Sequence, residues 1–193
     1  GVVACAITFM VTLSPYRMVR VLSFTDPFAD PFNSGFQLVQ ALIAVGRGEL
    51  FGVGLGGSIQ KLYYLPHANN DFILAIVGEE LGFFGISFVV FLFGTLLWLA
   101  LQTARYAEQA GQLFAARLAE GIGVFLVIQA LINIGVNLGV LPTKGLTLPF
   151  ISYGGSSMLV CCAAVGFLFA VQRQCLEQPF TKAGVHTPIR RVA

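Results

Sequence analysis

From Phe72 to Leu101 the chain carries no charge except Glu79 and Glu80 near the start of the run. An apolar stretch longer than ~20 residues is enough to cross a bilayer as a helix. In lipid every backbone N–H and C=O must be satisfied within the chain, which leaves helices and closed barrels as spanning structures. A second run, Leu118 to Val140, meets the same requirement. A third, Ser156 to Val171, is shorter, and Tyr153 and the adjacent glycines extend it. A weaker run from Phe36 to Val45 stays marginal even when stretched from Asn33 to Arg47. Its Gln37 and Gln40 are expected to face other helices. The opening "GVVACAITFMVTL", residues 1–13, is too short for a span, and its flanks do not suit a signal peptide. It reads as the end of a truncated span. The expected fold is all-α: a polytopic transmembrane helix bundle with a partial span, about four spans and two outward-facing loops, the whole of 1–193 forming one unit.

Composition agrees. Of the 193 residues 56% are hydrophobic and 10% charged, against ~25% charged in soluble domains. The net charge of +2 gives nucleic acid no footing. Four cysteines are present, Cys5, Cys161 and Cys162 in apolar runs and Cys175 just beyond one, so no disulfide framework is expected.

Positive charge sets the orientation. Arg17 and Arg20, then Arg105 and Arg117, then Arg173, Lys182, Arg190 and Arg191 mark three segments that alternate with two others. The basic set is expected to be cytoplasmic, including the tail 173–193. The loops 46–71 and 141–155, with Arg47, Lys61 and Lys144, then face outward.

Gly78/Gly82 and Gly135/Gly139 have the GxxxG spacing that lets helices approach closely. Gln129, Asn133 and Asn137 share one helix face. Interhelical hydrogen bonding is the favoured reading, and the wall of a substrate groove the sharper one. "GVGLGG" (52–57) matches a dinucleotide-binding pattern but lacks the strand and helix that pattern needs. A flexible loop, or a close backbone approach to a ligand, explains it better. Glu79 and Glu80 point to different faces, and at least one is expected inside the bundle in a structural ion pair. His67 has no companion ligands nearby.

Two features raise the question of chemistry. Asp71 sits where an outer loop meets a span. It can cap the helix, or it can carry a task that justifies an acid at that depth, and the two readings weigh evenly. "LPTKGLTLPFISYGGSS" (141–157) mixes Pro142, Pro149, glycines, hydroxyls and Lys144 between apolar runs. Such a segment is expected to be a re-entrant loop, tolerated at membrane depth only when it is buried in protein or lines a cavity. Lys144 on it can snorkel to headgroups or clamp an anionic group such as a lipid-linked pyrophosphate.

These residues carry a resemblance. "LPTKGLTLPFISYGGSS", "GFQLVQALIAVGRGELFGVGLGGSIQKLYYLP" (35–66) and "DFILAIVGEELGFFG" resemble the SEDS family of shape, elongation, division and sporulation proteins. The wording is closer to the division members than to the elongation members, and it covers nearly the whole chain. It corresponds to the C-terminal half of such a protein, so the piece alone is expected to be inactive. The resemblance implies a peptidoglycan glycosyltransferase that polymerises lipid II at the outer face of the bacterial cytoplasmic membrane, at the division septum. The implied partners are a class B penicillin-binding protein and other divisome proteins. The family pattern L-P-E-A-H-T-D-F falls on Leu65 to Phe72 and makes Asp71 the catalytic acid. His67, Asn69 and Asn70 stand where the family usually has Glu, His and Thr. Lys144 matches the lysine of the P-T-K-G motif, and Thr147, Ser152 and Tyr153 join Lys61 and Lys144 as candidate substrate-binding residues.

Polymerisation needs a base for the acceptor hydroxyl and positive charge for the departing pyrophosphate. Asp71 suits the first role, Lys61 and Lys144 the second. A divalent cation such as Mg2+ or Mn2+ is a candidate cofactor, although the sequence shows no dedicated cage of oxygen ligands. The alternatives are a lipid II flippase, which calls for ionisable residues at the midplane, and a divisome scaffold without activity.

Overall fold

The computed structural model describes residues 35–63, 70–142 and 145–177. The opening run, His67, Asn69, Lys144 and the end of the basic tail lie outside the described residues.

The described residues are all-helical: α1 (Phe36–Gly48), α2 (Gln60–Tyr63), α3 (Ile73–Gln109), α4 (Leu113–Asn137) and α5 (Gly155–Glu177). Three helices, α3, α4 and α5, are long and apolar enough to cross a membrane. The protein is a polytopic membrane helix bundle. α1 has 13 residues, and at 1.5 Å per residue it reaches only about 20 Å, short of a bilayer core. α3 and α4 form an antiparallel hairpin turned at Ala110–Gln112. α4 is the most enclosed helix. Leu126, Ala130 and Asn133 on it are buried, and Val127, Ala130 and Ile134 pack against Leu74, Val89 and Phe93 of α3 and Leu148 of the following loop. A second apolar cluster joins Ala41 and Ala44 of α1 to Ala75 and Ile76 of α3 and Val136 of α4.

α3 is not the uniform span that its hydropathy suggests. Gly82, at φ 67° and ψ −158°, breaks it into a short first segment and a long second one. A break normally strands backbone groups. Here the loop after α1 takes them up. Val53 and Gly54 donate their N–H groups to the carbonyls of Glu79 and Glu80, at 2.9 and 3.1 Å. In return Phe83 and Phe84 donate to the carbonyls of Glu49 and Leu50, at 2.9 and 3.3 Å. This reciprocal pairing is how non-helical backbone is tolerated at membrane depth.

Two sequence expectations change here. Gly82 is not half of a helix-packing pair but the break itself. In "GVGLGG" the close backbone approach is that of Gly52 to α3: a Cβ there would sit 2.1 Å from the Glu80 carbonyl oxygen. Gly139 also departs from the GxxxG reading. At φ 69° it follows the end of α4, where Gly139 N–H donates to the Val136 carbonyl and Val140 N–H to that of Gly135. This is a Schellman turn, which favours glycine at that position. Close helix approach occurs at Gly48 and Gly78 instead, where a Cβ on Gly48 would stand 1.8 Å from the Gly78 carbonyl oxygen.

Glu79 is the acid inside the bundle. It is fully buried and paired with Arg47 at the end of α1, Nη1 to Oε1, at 3.0 Å. Glu80, on the neighbouring face, is only half-buried.

Candidate functional site

The site is built from the C-terminal end of α4. Gln129, Asn133 and Asn137 recur every fourth residue and present their amides along one face. Each amide reaches a backbone carbonyl outside its own helix. Gln129 donates to Thr147, at 3.1 Å. Asn133 donates to Leu146 and to Asp71, the latter at 3.0 Å. Asn137 donates to Asp71 at 3.0 Å, and its Oδ1 accepts from Ala75 N–H at 3.1 Å. Asn133 and Asn137 are almost fully buried. The hydrogen-bond reading of this row holds, with a particular result. One amide, that of Asn133, joins the residue before α3 to the loop before α5.

Asp71 lies two residues ahead of α3, and the N-cap position falls on Phe72. Its carboxylate faces the loop, with Oδ2 3.4 Å from the point where a Cβ on Gly145 would sit. The residue after Lys144 therefore passes directly beside the Asp71 carboxylate. Lys144 itself is outside the described residues.

The loop 145–154 is held by its own hydroxyls. Leu148 N–H donates to Ser152 Oγ at 2.7 Å, and Ser152 N–H returns to the Leu148 carbonyl at 3.0 Å. Thr147 Oγ1 bonds Ser157 Oγ at 3.0 Å. Phe150 sits in this turn at φ 65°, a left-handed conformation costly for a bulky residue. Such strain persists only where the surroundings enforce it, often at functional sites. Ser152 is buried with its hydroxyl in the turn, whereas Tyr153 is 79% exposed. An apolar cavity of about 130 Å³ opens between this turn, at Pro149, Phe150 and Ile151, and Val89, Leu92, Phe93 and Leu96 of α3.

The structure thus brings together Asp71 and the loop that carries Thr147, Ser152 and Tyr153. Lys61 stands apart on α2, exposed. Among the described residues no three His, Cys, Asp or Glu side chains converge as a metal site would require. Arg47, Ser58 and Ser157 were not identified from the sequence as partners of Glu79 and Thr147. One arginine at a helix end, one serine in a loop and one in the first turn of α5 carry no spacing signal of their own.

The model of the cell cycle proteins FtsW, RodA and SpoVE matches residues 1–176. The chain belongs to this family. Relatives include the probable peptidoglycan glycosyltransferase FtsW of Thioalkalivibrio sulfidiphilus, 58% identical over 95% of this chain and 46% of the relative. The protein of the same name from Methylococcus capsulatus is 59% identical over 90% of this chain and 44% of the relative. Among solved structures, a chain of a peptidoglycan synthase complex that coordinates polymerization and crosslinking superposes with a TM-score of 0.70 at 30% identity. That match covers 92% of this chain and 48% of the other. The chain spans a little under half the length of the FtsW relatives it matches.

Proposed function

We propose that the chain is part of a peptidoglycan glycosyltransferase that polymerises lipid II into glycan strands during septal wall synthesis. The observation that carries the reading is the Asn133 amide. It binds the carbonyls of Asp71 and Leu146 together and so holds a carboxylate against the loop that follows Lys144 in sequence and carries the exposed Tyr153.

In this reading Asp71 accepts the proton of the acceptor sugar hydroxyl as the new glycosidic bond forms. Lys144 and Lys61 stabilise the negative charge that gathers on the departing lipid pyrophosphate. Thr147 and Ser152 fix the loop that carries Lys144, and Tyr153 offers its ring and hydroxyl to the sugar. Both substrates are lipid-anchored, which suits a site at the outer membrane surface. The full-length protein works with a class B penicillin-binding protein that crosslinks the product, at the septum, with the C-terminal tail in the cytoplasm. The flippase alternative has less support. No Asp, Glu, Lys or Arg occurs from Leu81 to Ala104, from Gly121 to Pro142 or from Gly145 to Gln172, so the spans bring no ionisable group to the midplane.

Asp71→Asn decides the matter. Asparagine is nearly isosteric and retains the backbone carbonyl that Asn133 and Asn137 hold, so expression and partner binding are expected to stay normal. It cannot take up a proton, and loss of a general base typically costs ~10²–10⁴-fold in rate. The assay is lipid II polymerisation by purified full-length protein with its penicillin-binding partner. Wild-type glycan output from Asp71→Asn would sink the assignment.

A further inference from the structure

We propose that Glu79 is a positioning residue: it fixes Lys61 relative to Asp71, so that the base and a cation for the leaving group keep one spacing. This rests on the roles given to Asp71 and Lys61 above.

Glu79 lies on the first segment of α3, between Asp71 and the break at Gly82, and is 0% exposed. A carboxylate there needs partners. Arg47 alone neutralises it, at 3.0 Å. Yet its other contacts go elsewhere. Ser58 Oγ donates to Glu79 Oε2 at 2.5 Å, and Ile59 N–H donates to Oε1 at 3.3 Å. Both residues immediately precede α2, the helix that carries Lys61.

The Ser58 hydroxyl extends this hold by one step. Its single proton is given to Glu79, which fixes the rotamer and leaves its lone pairs for other donors. One of them accepts Lys61 N–H at 3.1 Å. Ser58 is 1% exposed, so water does not compete freely for these bonds. α2 has only four residues, too few to be a stable helix by itself. Its place therefore depends on what holds its start, and the Glu79–Ser58 pair does so. Asp71 lies two residues ahead of the helical segment that carries Glu79, which makes that segment the ruler between Asp71 and the backbone of Lys61.

The test is a double-mutant cycle on the full-length protein with its partner, using lipid II polymerisation and thermal melting together. Ser58→Ala removes the link to Lys61 and leaves the Arg47–Glu79 pair in place. It is expected to lower kcat about tenfold, with a lower melting temperature because one buried Glu79 oxygen loses its donor. kcat and kcat/KM should fall together, the mark of an interaction made in the transition state. Glu79→Gln should lower the rate likewise and the melting temperature further, since it also breaks the pair with Arg47. Added to Lys61→Met, Ser58→Ala should cost nothing further, because the group it positions is gone. If Glu79→Gln does not fold, the Ser58–Lys61 cycle decides alone. The proposal is overturned if the losses multiply, if Ser58→Ala keeps the wild-type rate, or if Lys61→Met does. Asp71→Asn, run in parallel, separates the two readings. If Asp71→Asn abolishes product while the cycle is additive, only the role of Glu79 fails. If Asp71→Asn retains the rate, both fail.

Discussion

Asn133 is the residue on which the site turns. The fourfold spacing of Gln129, Asn133 and Asn137 was legible in the sequence, because helical periodicity puts such residues on one face. What they bind was not, since Asp71 and Leu146 reach them only through the packing of α3 and the loop on α4. Replacing Asn133 by Leu would leave the Leu146 carbonyl without its side-chain donor, while the Asp71 carbonyl keeps that of Asn137. Stranding a buried polar group costs about 1–3 kcal/mol. The expected outcome is a lower melting temperature in detergent together with loss of polymerisation, both measured on the full-length protein. Lys144 offers a cleaner test of charge. If it clamps pyrophosphate, Lys144→Arg keeps partial activity while Lys144→Met loses roughly one to two orders of magnitude in rate. Wild-type polymerisation by Lys144→Met, at equal membrane levels, would leave only the snorkelling role.

At the scale of elements, hydropathy located α3, α4 and α5 because apolar length is what lipid selects. It could not locate the break in α3. Gly82 reads as one small residue among several, and only the neighbouring loop, with its free N–H and C=O groups, makes a break at that point tolerable. The prediction is that Gly82→Ala fails where Gly94→Ala does not. Gly82 adopts a conformation almost confined to glycine, worth about 1–3 kcal/mol. A Cβ there would also lie 2.5 Å from Gly52 N and from the Leu50 carbonyl oxygen, whereas one on Gly94 meets nothing within 4 Å. Thermal melting of the two variants in detergent should separate them, with Gly82→Ala poorly folded and Gly94→Ala close to wild type. Equal melting of both would mean that the break does not depend on glycine.

The whole molecule shows a large apolar exterior. Phe83, Phe84, Phe88 and Phe91 of α3 and Phe167 and Phe169 of α5 are each more than half exposed. In water this would be a severe liability, whereas in a bilayer lipid chains cover it without a hydrophobic penalty. The charge asymmetry predicts an orientation with Arg105 and Arg117 cytoplasmic and the Lys61 loop outside. Leu55, 81% exposed, and Gln109, at the end of α3, are suitable positions for single cysteines in a full-length protein freed of its native ones. An impermeant thiol reagent added to intact cells should label Leu55→Cys and spare Gln109→Cys. The opposite pattern would invert the topology.

The sequence by itself determined that the chain is a helical membrane protein of this family, because apolar length, sparse charge and long motifs are local properties that need no partner to be read. It also marked Asp71, Lys144 and the asparagine row as positions of interest. Only the tertiary structure decided what meets what. It placed Gly145 beside the Asp71 carboxylate, Ser58 between Glu79 and Lys61, and the loop after α1 in the break of α3. Each of these contacts joins residues distant in sequence, and their formation depends on how the helices pack, a quantity that no local pattern of residues encodes.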